Sequence, residues 1–214
     1  MWRQQKMNKK ILYVGIISAI AIISVLAVSS NDVTPPTSVS TSQYLEHNLI
    51  LKQKLSEAEI SMSSPIRLQT PDEITQYCSF FADSEKQKLV EYCTSTELKD
   101  KDGNFLGNIH MVGLKDVPQM VLVLVQTDPT MSKIDSVKKI FNVVIQELVC
   151  KCWADVKPDN FENIDGWVDG MRDFHTSDTQ THSKSKQLVL EGKTLQLELT
   201  TNNDGYLWQL YIYN

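Results

Sequence analysis

Four cysteines are the residues in this 214-residue chain with the clearest chemical potential: Cys78, Cys93, Cys150 and Cys152. An even number of cysteines in an exported domain predicts disulfides, and four cysteines allow three pairings. A bond between Cys150 and Cys152 would close a very small, strained ring. We therefore expect one of the two crossed pairings, in which Cys78 and Cys93 each bond to one cysteine of the later pair.

The same four thiols could instead form a metal site, because zinc and Cu(I) both accept thiolate ligands. The spacing argues against it, since Cys150 and Cys152 are separated by one residue and structural zinc sites usually carry C-x2-C pairs. The leading prediction is therefore a disulfide-stabilised domain without a cofactor. A domain that handles zinc or copper is the alternative.

A second candidate metal site is the row of carboxylates Asp165, Asp169 and Asp173. Residues four apart share one face of a helix, and their oxygens could hold a hard cation. A solvated acidic face is the simpler interpretation. Gly166 and Gly170 fall in the same predicted helix, where each costs about 1 kcal/mol relative to alanine. We infer that these glycines leave room for another backbone or a ligand.

No motif of a familiar enzyme class occurs in the sequence. G-x-S-x-G, S-x-x-K, H-E-x-x-H, the P-loop and the Rossmann glycine pattern are all absent. We expect His47 and His182 to be exposed in polar segments and His110 to lie on the wetter face of a strand. The sequence therefore favours a binding or interaction module over an enzyme, with a hydrolytic domain as an alternative.

Aromatic side chains crowd the last predicted strand, where Trp208, Tyr211 and Tyr213 occur within six residues. Such residues are enriched at recognition surfaces, although they also fill the cores of β-sheets. We take these three as candidate interaction residues for a protein or small ligand of unknown identity.

An apolar run from Ile11 to Val28 determines the compartment in which these residues act. Its eighteen residues carry no charge, and as a helix they would span about 27 Å, close to the hydrocarbon thickness of a bilayer. Basic residues precede the run, which predicts a single-pass anchor with residues 1–10 in the cytoplasm and the domain outside the cell. The alternative is a secreted protein, cleaved from a signal peptide near Ser29.

The remaining organisation follows from charge and composition. The chain has a net charge of −5, although Arg3, Lys6, Lys9 and Lys10 all precede the apolar run. The rest is therefore strongly acidic and should repel nucleic acid. Residues 29–42 are rich in Ser, Thr and Pro and predict a linker. Residues 43–214 are enough for one extracytoplasmic domain with its own core.

Helical periodicity begins directly after the linker. Apolar residues at helical spacing predict a helix from Gln43 to Met62 whose buried stripe is Leu45, Leu49, Leu55, Ala58 and Met62. This helix either packs on the domain or pairs with a second copy as a short coiled coil, which would give a dimer. Thr70, Pro71 and Glu73 predict a capped helix start, and that helix should extend to about residue 82.

The positions of the strands follow from alternation and turn residues. Asp102-Gly103 predicts a hairpin between residues 92–99 and 105–114, and the doubly apolar run 120–125 predicts a central strand. Two long helices are expected to begin near Pro129 and Pro158. A three-stranded meander should end the domain, at residues 186–190, 194–201 and 206–213. The predicted fold is α+β, with an N-terminal transmembrane helix and an antiparallel sheet of about five or six strands packed by helices.

Overall fold

The computed structural model describes residues 42–81, 83–177 and 180–214. The predicted anchor at residues 11–28 and nearly all of the predicted linker lie outside this part of the chain. Among the described residues, no helix is both long enough and apolar enough to cross a membrane.

The described domain is α+β, as predicted. Its helices are α1 (Gln43–Glu57), α2 (Pro71–Tyr77), α3 (Ser84–Lys88), α4 (Ile134–Leu148), α5 (Trp153–Val156) and α6 (Ile164–Ser177), with a 3-10 turn at Pro158–Asn160. Its strands are β1 (Ser61–Met62), β2 (Ile66–Leu68), β3 (Tyr92–Lys99), β4 (Phe105–Gly113), β5 (Pro118–Thr127), β6 (His182–Lys184), β7 (Leu188–Leu190), β8 (Lys193–Asn202) and β9 (Gly205–Tyr213).

One antiparallel sheet contains all nine strands of the described residues, in the order β1-β3-β4-β5-β9-β8-β6. β2 also pairs with β3, and β7 also pairs with β8. The centre of the sheet joins strands that are distant in sequence, because Met120 of β5 pairs with Tyr213 of β9 and Thr127 pairs with Tyr206. The sheet has more strands than the five or six predicted. The additional strands β1, β2 and β6 are too short to show an alternating pattern in the sequence.

The main core lies between the first face of the sheet and the helices α1, α4 and α6. Alternate residues of each strand point to this face, so Leu195, Leu197 and Leu199 of β8 are all buried in it. Trp167 of α6 and Trp208 of β9 are among the largest fully buried side chains of the domain. Burial of such side chains is the main favourable contribution to folding.

The second face of the sheet is covered only in part by the described helices. The segment with α2 and α3 packs over the β3–β5 end of the sheet, and a smaller core forms there from Leu68, Ile74, Cys78, Val90, Cys93, Val112 and Met120. The start of α2 agrees with the sequence, because Thr70 and Glu73 form the predicted capping box. The helix ends at Tyr77, earlier than predicted.

The buried stripe of α1 differs from the predicted one. Leu55 is buried as expected, but Leu45 is 39% exposed and Leu49 is 59% exposed. Tyr44 and Leu51 are buried instead. A hydrogen bond at the start of the helix sets the rotation of α1 about its axis. The Tyr44 hydroxyl donates to the carbonyl of Leu114 at 3.0 Å, which turns Tyr44 toward the core. The exposed leucines leave the dimer prediction open.

Both long helices begin later than their prolines suggested. Asp128 accepts hydrogen bonds from the backbone N–H groups of Thr130 and Ser132, which forms a turn, and α4 starts only at Ile134. After Pro158 the chain passes through Asp159 and Asn160, both with positive φ, so a regular helix cannot start there. The α6 helix follows at Ile164.

Candidate binding groove

A groove of about 1120 Å³ opens on the second face of the sheet, beyond the part that α2 and α3 cover. Its floor is formed by β9, β8 and β6, and one wall is formed by the segment between α2 and α3. Four aromatic side chains line it, namely Phe80, Phe81, Tyr211 and Tyr213. The volume is slightly above that of typical ligand sites in proteins.

The register of the sheet places the two tyrosines in this groove. Tyr211 and Tyr213 alternate along β9 with Leu210 and Ile212, which point into the main core. Tyr211 is paired with Gln196 of β8, which also lines the groove. The tyrosine rings are nearly parallel, with centroids 6.0 Å apart.

A disulfide fixes the wall of the groove to the sheet. Cys78, which follows α2, is bonded to Cys93 of β3, with their Cα atoms 6.5 Å apart. The side chain of Gln87 adds two hydrogen bonds: it donates to the carbonyl of Cys78 at 3.2 Å and accepts from the N–H of Phe81 at 3.2 Å. Phe80 is thereby held over the sheet, where its ring contacts His110.

Charged groups lie at the β6 side of the groove. The ammonium of Lys184 is 2.9 Å from a carboxylate oxygen of Glu198, and the ring of His182 is 3.7 Å from the other oxygen. Glu198 is mostly buried, with 13% of its side chain exposed, whereas half of the Lys184 side chain is exposed. A bound ligand would therefore meet the ammonium before it met the carboxylate.

The tyrosine hydroxyls of the groove stay protonated at physiological pH. Burial, followed by the negative charge of Glu198, raises the pKa of Tyr211 to about 12, and the same two causes raise the pKa of Tyr213. The Tyr211 hydroxyl donates to the side-chain oxygen of Gln209 at 3.2 Å. Away from the Lys184–Glu198 ion pair, the floor therefore offers neutral phenols and amides, which suit hydrogen bonding to uncharged polar groups.

The three aromatic residues predicted as an interaction surface have different positions. Tyr211 and Tyr213 line the groove, but Trp208 is wrong as an interaction residue because it is fully buried. Its indole N–H donates to the Thr127 hydroxyl at 3.2 Å on the opposite side of the sheet. Phe80 and Phe81 were not predicted, because their sequence neighbourhood carries no signal that distinguishes a groove wall from a loop.

The predicted disulfides form, but the crossed pairing is wrong. Cys78 bonds to Cys93, and Cys150 bonds to Cys152, with Cα atoms 5.2 Å apart in the second pair. Cys78 and Cys93 belong to the smaller core, whereas Cys150 and Cys152 pack against the main core on the other face. The sheet lies between the two pairs, so no crossed bond can form. All four sulfurs are thus engaged, which removes the proposed thiolate site for zinc or copper.

The acidic row on α6 is engaged by neighbouring side chains. Asp165 accepts a hydrogen bond from Asn142, while Asp169 forms ion pairs with Lys138 at 2.8 Å and Arg172 at 2.9 Å. Asp173 also pairs with Arg172. In the described part of the chain, no three His, Cys, Asp or Glu side chains are grouped so as to hold a metal ion. The row is a helix face whose carboxylates are held by one hydrogen bond from Asn142 and by ion pairs with Lys138 and Arg172.

The histidines have roles that the sequence signalled only in part. His182 is exposed, as predicted, but His47 is half-buried and His110 lies beneath Phe80. His175 is buried, and its ring nitrogens are 2.7 Å from the Ser183 hydroxyl and 2.8 Å from the Thr201 hydroxyl. Both His175 and Ser183 are buried, so the Ser183 hydroxyl is not open to a substrate as a nucleophile would be. The hydrogen bonds of His175 instead join α6 to β6 and β8.

Comparison of the chain with protein-family models, curated proteins and solved structures finds no match.

Proposed function

We propose that this protein is a membrane-anchored extracytoplasmic binding module that captures a peptide segment of a partner protein in the groove. The charge-free run from Ile11 to Val28, with its basic N-terminal flank, supports the anchor and its orientation. The two disulfides support an oxidising compartment, since such bonds are rare in reducing cytosol.

The observation that carries the proposal is the uncovered part of the second sheet face. Four aromatic side chains, Phe80, Phe81, Tyr211 and Tyr213, border open space there. Such rings are enriched at protein interfaces because they bury a large area at low entropic cost. A partner that covers them would complete the packing of this face.

The polar lining favours a peptide as the occupant. Gln119, Gln187, Gln196 and Asn214 line the same groove and offer both hydrogen-bond donors and acceptors. A peptide backbone presents the complementary N–H and C=O groups along its length, and its side chains could fill the spaces between the rings. The groove thus matches a ligand with alternating amide and apolar groups.

Selection from a random peptide library displayed on phage would test this function. The bait is the full-length protein in lipid nanodiscs, with empty nanodiscs as the blank. We expect peptides that bind the wild type and lose at least about tenfold in affinity on the Tyr211→Ser/Tyr213→Ser variant, because truncation of central aromatic contacts has effects of that size.

A matched control is Tyr77→Ser, which removes a tyrosine that is 55% exposed and outside the groove. This variant should bind the selected peptides as the wild type does. The proposal fails if no peptide is enriched above the blank, or if the groove variant and the control bind the selected peptides equally well.

A further inference from the structure

A second, smaller cavity of about 370 Å³ lies between α6, the turn before it and the segment from β6 to β7. It is separate from the groove, although Lys184 borders both. Phe161, Trp167 and Phe174 contribute aromatic walls. The cavity falls in the size range of small-molecule sites, which are mostly apolar with a few polar groups at defined positions.

Gly170 accounts for part of this space. A Cβ atom at this position would lie 3.3 Å from the ring of Phe161, which is tighter than ordinary van der Waals contact. The glycine lies in the interior of α6, where it costs about 1 kcal/mol relative to alanine. Gly170 is the α6 residue that lines the cavity without a side chain, so the space beside it stays open.

The turn that borders the cavity has an unusual backbone. Lys157, Asp159 and Asn160 all have positive φ, between 46° and 66°. Such conformations are uncommon in non-glycine residues, although Asp and Asn adopt them more readily than most, and strained backbone clusters at ligand-binding segments. The Trp153 indole, which donates to the carbonyl of Phe161 at 3.1 Å, holds the end of this turn in place. Phe161 is thereby fixed as a wall.

The rim carries charges of both signs, with one more ammonium than carboxylate among the residues that line the cavity. Lys184 and Lys186 contribute two ammonium groups, and Asp159 contributes one carboxylate. The ammonium of Lys186 lies 3.5 Å from a carboxylate oxygen of Asp159. Because 81% of the Lys186 side chain is exposed, the ammonium remains accessible to a ligand. Lys184 is bonded to Glu198, but half of its side chain is also exposed. An apolar ligand with one carboxylate would place its body against the rings and its charge between the lysines.

We propose that this cavity binds a small apolar carboxylate with a flat aromatic body. The cavity shares Lys184 with the peptide groove, but its aromatic walls and Gly170 are not part of that groove, so either proposal could fail without the other. The probe is 2-naphthoate, and its uncharged match is 2-naphthamide. Binding is measured by ligand-observed NMR titration of the full-length protein in nanodiscs, with empty nanodiscs as the blank.

Two variants of the same helix provide a matched pair. Gly170→Leu places a side chain in the cavity, whereas Gly166→Leu makes the same change one turn earlier, outside the cavity lining. Both replace glycine with a better helix former, and in both the new Cβ would lie 3.3 Å from its nearest neighbour, so retention of the fold is checked for each by thermal unfolding. We expect Gly170→Leu to weaken 2-naphthoate binding at least about tenfold, and Gly166→Leu to leave it within about twofold, because only the first change occupies the space.

The contribution of the two lysines is measured separately. Wild-type protein should bind 2-naphthoate with a dissociation constant on the order of 1 mM or tighter and should bind 2-naphthamide several-fold more weakly. The variant Lys184→Gln/Lys186→Gln should remove that preference and leave 2-naphthamide binding unchanged. The proposal is overturned if wild-type protein does not bind 2-naphthoate above the blank, or if Gly170→Leu and Gly166→Leu bind it alike. It is also overturned if the lysine variant retains the preference for the acid.

Discussion

The ring of Phe80 lies against the imidazole of His110, with the two centroids 4.8 Å apart. This contact joins the wall of the groove to β4. Burial alone lowers the pKa of His110 to about 4, and its buried Nδ1 atom has no hydrogen-bond partner among the described residues. The groove wall therefore rests on a histidine that is neutral at physiological pH.

Acidification should weaken the domain through His110. The unfolded chain binds a proton at the usual pKa of 6.5, above the folded value of about 4. The contribution of neutral His110 is therefore fully present above pH 6.5 and is lost as pH falls toward 4. In urea unfolding we expect a loss of about 1–2 kcal/mol across this window that the His110→Gln variant does not show. Parallel pH profiles for the two proteins would contradict this account.

Loss of the Cys78–Cys93 bond should destabilise the domain by about 3 kcal/mol, because the bond closes a loop of 15 residues in the unfolded chain. The variant Cys78→Ser/Cys93→Ser tests this in urea unfolding. Cys150→Ser/Cys152→Ser is the control, with about half that loss expected because its loop spans a separation of 2 residues. Equal losses for the two variants would rule out the loop-entropy explanation.

Peptide mapping without reduction tests the pairing itself. Proteolysis should yield one linked species with Cys78 and Cys93 and another with Cys150 and Cys152. Mass spectrometry detects both, and a reduced sample is the control. A species that links Cys78 to Cys150 would show that the sheet does not separate the two pairs.

The acidic face of α6 should contribute stability through ion pairs. Asp169→Asn removes the contacts with Lys138 and Arg172, and we expect a loss of about 1 kcal/mol since these groups are partly exposed. Calcium should raise the melting temperature of the wild type no more than that of the Asp165→Asn/Asp169→Asn/Asp173→Asn variant. A rise seen only in the wild type would restore the cation site.

The exposed side of α1 provides a test of the predicted dimer. Leu49 is 59% exposed, so a charge there should not disturb the core. We expect Leu49→Glu to shift the full-length protein toward monomer in analytical ultracentrifugation, because a buried unpaired carboxylate is costly at an apolar interface. Gln53→Glu, one turn further along the helix, is the control. An unchanged distribution for Leu49→Glu would remove α1 from any dimer interface.

The predicted topology can be tested in intact cells. Protease added outside should digest residues 43–214 if the anchor holds the basic end in the cytoplasm. Immunoblotting of the domain before and after addition measures this, and a cytoplasmic protein is the control. Protection of the domain until the cells are lysed would contradict both the localisation and the proposed function.

Local patterns in the sequence predicted the long strands well. The bounds of β3, Tyr92–Lys99, agree with the prediction because alternation is clear there and the turn at Asp102-Gly103 is strongly coded. Gly103 has φ of +83°, as such a turn requires. By contrast, the sequence does not predict β6, since three residues at a sheet edge do not establish a period.

The groove could not be predicted in the same way. It exists because the segment around Phe80 and Phe81 covers one end of a sheet face and leaves the other end open, which depends on contacts distant in sequence. The disulfide pairing failed for the same reason. Alternation alone does not show on which face of the sheet the Cys93 side chain lies, because that depends on which helices pack against each face.

The sheet consists of two portions, each assembled from neighbouring segments, and within the described residues a single ladder between β5 and β9 joins them. The pairings among strands β1 to β5 involve no residue after Thr127. Pairing β5 with β9 brings Met120 and Tyr213 together. The long stretch of chain between these strands must therefore be ordered before the two portions of the sheet gain their mutual contacts. Folding should therefore be limited by this one closure step, and either half alone would present an unpaired inner edge to other chains.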